Sequence, residues 1–81
     1  MEFYKLRQTI MIATKAHLEF RQDLLDKGMD LPPFSVFIRK MALEYGASEG
    51  MIKRSVEVLV SHATVKNGEI VRRGEDEPIL R

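Results

Sequence analysis

Lys53 and Arg54 stand side by side in the stretch MALEYGASEGMIKRSVEVL, residues 41–59, with Ser48 and Glu49 just before them. A guanidinium is a planar fork of N–H donors that can satisfy two acceptors at once, whereas an ammonium is a compact point charge. Both suit phosphate oxygens, and the fork also fits the edge of a guanine. A second cationic group follows, with Lys66 before and Arg72 and Arg73 after an Asn67-Gly68 pair. Each group has a plainer reading. Lys53 and Arg54 also suit a solvated helix face, and Lys66, Arg72 and Arg73 also suit the protection of a small exposed sheet edge. Arg39 and Lys40 divide in the same way, between phosphate contacts and the solvent face of their helix.

The remaining reactive side chains support little chemistry. His17 and His62 are far apart in sequence, and neither belongs to a Glu-x-x-His pair or a dense carboxylate cluster. His17 therefore reads as a satisfied interface residue rather than a metal ligand, with a pH-sensitive element at a dimer seam as the alternative. Glu19 and Asp23 flank an exposed face, and Glu75-Asp76-Glu77 reads as a solubilising tail. Glu57, one turn after Lys53, repels phosphate unless it accepts from a cytosine amino group. No Gly-rich phosphate loop, nucleophile elbow or His-carboxylate pair is legible. The expectation is a non-enzyme with no cofactor and no metal.

Composition sets the outer limits. The chain has 81 residues, 44% of them hydrophobic, enough for one small globular core. With no cysteine there is neither a disulfide nor a thiolate zinc site, which fits a reducing cytoplasm. No apolar run approaches a membrane span and no signal pattern opens the chain, so the expected location is cytoplasmic. The net charge is only +1, and becomes +3 without residues 74–81. That is a modest charge for a nucleic-acid binder.

The elements that must carry these residues follow from periodicity. Phe3, Leu6, Ile10, Ala13, His17, Phe20 and Leu24 recur in steps of three and four, which predicts a long helix over 1–28 ending at Gly28. Ile12, Ala16, Leu18 and Leu25 widen its apolar surface beyond what a small domain covers, so the helix is expected to join two copies as a homodimer. Pro32 and Pro33 break the chain. Ser35 is the expected N-cap of a second helix, whose apolar positions are Val36, Phe37, Ile38, Met41, Ala42 and Tyr45.

Gly46 ends that helix, and Ser48 caps a third in which Ile52, Val56 and Leu59 form the buried stripe. Lys53, Arg54, Glu57 and Ser61 fall on the other side. The period then changes. ATVKNGEIVRR predicts a two-residue hairpin through a type I′ Asn67-Gly68 turn, pairing Val65 with Ile70 and Lys66 with Glu69.

Helix, helix, tight turn, helix and hairpin, in that order, resemble the winged helix-turn-helix transcriptional regulators over residues 34–73. Ala42, Gly46, Ser48, Ile52, Lys53, Arg54, Val56 and Leu59 match that pattern. There are two departures. Ala63 stands where the family often has Gly, and Gly50 weakens the first turn of helix three by about 0.5–1 kcal/mol.

The resemblance implies a mainly α fold with a small β-hairpin, a winged helix-turn-helix with a long N-terminal helix. One domain would then span 1–81, with 34–62 as helix-turn-helix, 63–73 as wing and 74–81 as tail. It also implies sequence-specific binding of double-stranded DNA by a small regulator, through Ser48, Glu49, Lys53, Arg54, Lys66, Arg72 and Arg73. The alternative is a winged-helix protein-protein interaction module without DNA binding. RNA or single-strand binding is disfavoured, because no aromatic platform marks the proposed face.

Overall fold

A computed structural model describes residues 3–74; the predicted start at residues 1 and 2 and the acidic tail 75–81 lie outside the described residues. Three helices precede one hairpin: α1 Phe3–Asp26, α2 Phe34–Tyr45, α3 Glu49–Leu59, β1 Ala63–Lys66 and β2 Glu69–Arg72. The chain is mainly α, and its arrangement is winged-helix-like.

The end of α1 follows from local chemistry. Gly28 sits at φ 71°, and its N–H donates to Leu25 O at 3.0 Å while Met29 N–H donates to Leu24 O at 2.9 Å. These two bonds form a Schellman cap, which needs a left-handed residue that glycine adopts without a Cβ penalty. The stripe on α1 is confirmed in its middle. Ile10 is fully buried, with Leu6 and Ala13 packed against the core. Thr14, outside the predicted stripe, is fully buried as well. Phe20 remains 48% exposed and Ile12 70%, so the helix does leave apolar surface uncovered.

The start of α2 differs from expectation. Ser35 is not the cap; Pro33 holds that position at φ −58° and ψ 138° with no side-chain cap bond, and Ser35 is exposed in the first turn. The reason is Phe34. Its ring is wholly buried and pulls the helix start two residues earlier than a capping serine would set it. Arg21 of α1 closes over this ring, 5.5 Å from its centroid, and donates from Nη1 to Pro32 O at 2.8 Å. Phe37 and Met41 are buried as expected, Ile38 is half-buried, and Val36, Ala42 and Tyr45 face solvent.

The hairpin has the expected register: Ala63–Arg72, Thr64–Val71, Val65–Ile70 and Lys66–Glu69 face each other. Asn67 at φ 54° and Gly68 at φ 75° both take the positive angles of a type I′ turn. One core cluster joins Ile10, Phe34, Phe37, Met41, Ile52, Val56 and Val65. The hairpin therefore closes the helical bundle on one side.

Candidate nucleic-acid interface

The turn before α3 is built from three neighbouring residues with different tasks. Gly46 is left-handed at φ 69° and donates its N–H to Ala42 O at 2.9 Å, ending α2. Ala47 is buried and anchors the turn in the core. Ser48 is extended, and its Oγ accepts from Met51 N–H at 3.2 Å, satisfying one of the orphan donors of the new helix. Ser48 and Gly46 therefore do what their types foretell. The Oγ of Ser48 is committed to the cap, however, and Glu49 is exposed in the first turn.

On α3, Ile52 and Val56 are fully buried, and the Ser55 hydroxyl, also buried, donates to Met51 O at 3.0 Å. This fixes the helix rotation. Lys53 and Arg54 then project into solvent. Glu57 lies a turn further along, and its Oε2 accepts from the Thr64 hydroxyl of β1 at 2.5 Å. That bond ties α3 to the hairpin and is the first cause of a lowered carboxyl pKa; desolvation, next in size, opposes it, and Arg73, Lys53 and Arg54 each add a smaller lowering. The acid is thus held as a carboxylate among three cations.

The cations of the hairpin do not act as one group. Side chains alternate along a strand, so Arg73 falls on the side of Thr64 and Val71, towards Glu57, while Arg72 falls on the opposite side, across from Ala63. The Arg73 N–H donates to His62 O at 2.8 Å, extending the ladder by one bond. Lys66 sits at the turn end, about 13 Å along the strand from that base. There the hairpin abuts α2: a Cβ on Gly68 would stand 3.2 Å from Ser35 Cβ. Lys53, Arg54 and Arg73 accordingly gather around Glu57, with Ser48 and Glu49 above them on α3, while Lys66 and Arg72 lie elsewhere on the hairpin.

Two features were not legible in the sequence. One is an open groove of about 830 Å³ between the first turns of α1 and α3, walled by Tyr4, Met11, Ile12 and Met51, with Arg7 and Arg54 also lining it. The other concerns His17. Instead of facing a dimer seam with its polar atoms satisfied, its ring stacks on Phe37 at 4.2 Å and 12°. Phe34 and Phe20 stand 5.7 and 5.8 Å away. Its Nε2 is buried without a hydrogen-bond partner among the described residues, as is Thr14 Oγ1. Burial, then the charges of Arg21 and Lys40, push its pKa down to about 4.

Among the described residues, no helix is long and apolar enough to cross a membrane, and no three His, Cys, Asp or Glu side chains converge as metal ligands. Compared with known proteins, the chain matches no family model, no curated protein and no solved structure.

Proposed function

We propose that the protein is a cytoplasmic winged-helix regulator that binds double-stranded DNA. The supporting observation is the exposed strip on α3, where Lys53 and Arg54 stand beside Arg73 of the hairpin on a helix rigidly set by Gly46, Ser48 and the Glu57–Thr64 bond. In this reading α3 enters the major groove. Lys53 and Arg54 contact base edges or phosphates, and Arg73 follows the backbone. Glu49 stands at the base-facing start of α3, Ser48 holds that start in place, and Lys66 and Arg72 make outer phosphate contacts. Two copies meet through apolar surface left uncovered on α1, where Tyr4, Ile12 and Phe20 are 65%, 70% and 48% exposed. The resulting dimer presents paired helices to a two-fold symmetric site.

Duplex binding measured against salt tests the reading. Affinity should fall steeply as salt rises, and Lys53→Ala with Arg54→Ala should nearly abolish it. The rival, a module that captures another polypeptide, draws on the exposed Val58 and Leu43 and on the acid inside the cationic strip. Salt-insensitive capture of a protein, with no duplex binding at low salt, would favour that rival. Sedimentation at micromolar concentration tests the dimer separately, and a monomer throughout removes it.

A further inference from the structure

The groove between α1 and α3 is long in one direction. Tyr4, Gln8 and Ile12 line it at steps of four along α1, with Met11 beside them. From Tyr4 to Ile12 the helix rises about 12 Å. Met51 and Arg54 line the opposite wall from α3, about one turn apart. The volume of about 830 Å³ lies in the range of small-molecule sites, roughly 300–1,000 Å³.

Its chemistry is two-sided. Met11, Ile12 and Met51 give an apolar body, and the two thioether chains adjust to a guest of irregular shape. Tyr4 and Ile12 are 65% and 70% exposed, so a guest covers apolar surface that the fold leaves in water. Arg7 and Arg54 bring positive charge, and no acidic side chain is among the described residues that line the groove. Gln8 Nε2 donates to the Tyr4 hydroxyl at 3.0 Å, which leaves the hydroxyl hydrogen to donate in turn. A fitting occupant is narrow, apolar along its length and negative at one end. A straight acyl chain of about ten carbons ending in an ionised carboxylate has that length and that charge.

We infer that the groove binds a free medium-chain carboxylate, with its acyl chain between Met11, Ile12 and Met51 and its carboxylate on the Arg54 guanidinium. Arg54 also acts on the Glu57 carboxylate, within the strip assigned above to DNA. A bound acid takes that cation from a duplex, which makes the groove a point of control over DNA binding. This consequence rests on the DNA reading; the site itself does not. Tyr4 and Ile12 belong as well to the surface proposed for a second copy, so acid and partner compete for them.

Sodium decanoate is the probe and decanol its uncharged counterpart, each titrated into the full chain below the concentration at which it aggregates. Methionine methyl signals report the outcome. Met11 and Met51 should shift and saturate, while Met29, outside the groove, and Met41, in the core, stay still. Decanol should bind about tenfold more weakly, and Arg54→Gln should weaken decanoate about tenfold without changing decanol. Ile12→Asp, at an exposed position, sets a negative charge in the groove and should abolish decanoate binding in a folded chain. Saturating decanoate should lower duplex affinity about fivefold at low salt.

Absence of saturable Met11 and Met51 shifts overturns the site. Equal affinity for decanoate and decanol overturns it, as does an Arg54→Gln variant that binds decanoate as the parent does. Equal shifts at all four methionines mean detergent-like adsorption and overturn it too. Met11 and Met51 signals that move on dilution without any acid assign the groove to a second copy, again against the proposal. Saturable, Arg54-dependent binding in a chain that ignores duplex DNA upholds the site and removes the DNA reading instead.

Discussion

Acidifying the solution from pH 7 to pH 4 should weaken the fold through His17, and the size of the effect follows from what surrounds the ring. His17 lies against Phe37, Phe34 and Phe20, with Nε2 buried and unpartnered and with Arg21 and Lys40 nearby. Burial of the ring and the two nearby cations oppose a proton on the imidazole. In the folded chain its pKa falls from 6.5 to about 4, first through burial and then through the two cations. Between those values the unfolded chain binds the proton and the folded chain does not. The contribution of neutral His17 is therefore fully present above pH 6.5 and is lost as the pH falls towards 4.

At about 1.4 kcal/mol per pH unit the full shift corresponds to about 3 kcal/mol. Water reaches part of the ring, which reduces this to about 2 kcal/mol. That is a large share of the roughly 5–15 kcal/mol that holds a domain together. Urea unfolding followed by circular dichroism across this range measures the loss. His17→Phe isolates it, because the variant keeps the aromatic stack and removes both the titrating group and its unpaired nitrogen. The variant should hold its stability at pH 7 and lose about 2 kcal/mol less than the parent on acidification. An equal loss in parent and variant would refute the argument, as would a His17 proton-resonance midpoint at pH 6 or above in the folded protein.

Other positions give independent tests. Gly68→Ala strains a residue at φ 75° and presses a new Cβ to 3.2 Å from Ser35 Cβ, so the melting temperature should drop with a loss of about 1–2 kcal/mol. Gly50→Ala meets only Ser48 Oγ at 3.7 Å and has no positive φ. It should gain about 0.5–1 kcal/mol in urea unfolding; a loss of duplex affinity alongside that gain would show that the missing side chain serves close approach to a backbone. Ser48→Ala removes the acceptor for Met51 N–H and should cost about 1 kcal/mol by the same measurement. Thr64→Val deletes the donor to Glu57, and the carboxyl pKa should rise towards its ordinary value when followed by carbon NMR.

Local chemistry made much of the scaffold legible. A type I′ turn needs two positive φ angles, and once Asn67-Gly68 supplies them the strand register has no freedom, so Val65–Ile70 and Lys66–Glu69 pair as read. Gly28 and Gly46 ended helices and Ser48 began one for equally local reasons, each satisfying backbone groups within a few residues. The outward placement of Lys53 and Arg54 follows from the buried Ile52 and Val56 at helical spacing. Ser35 failed as a cap because that prediction weighed one hydroxyl and overlooked the neighbouring Phe34, whose burial is worth about 1.5–3 kcal/mol.

What the sequence alone determined, then, is the order of the helices, the stops at Gly28 and Gly46 and the start at Ser48, the hairpin and its register, and the exposed face of α3. Each of these depends on backbone bonds or spacings within a few residues. The tertiary structure decided which side chains meet. It parted Arg73 from Arg72, locked Glu57 to Thr64, enclosed His17 among three phenylalanines and opened a groove between α1 and α3. Charge, polarity and pKa at these places arise from neighbours far apart along the chain, brought together by burial of the common core.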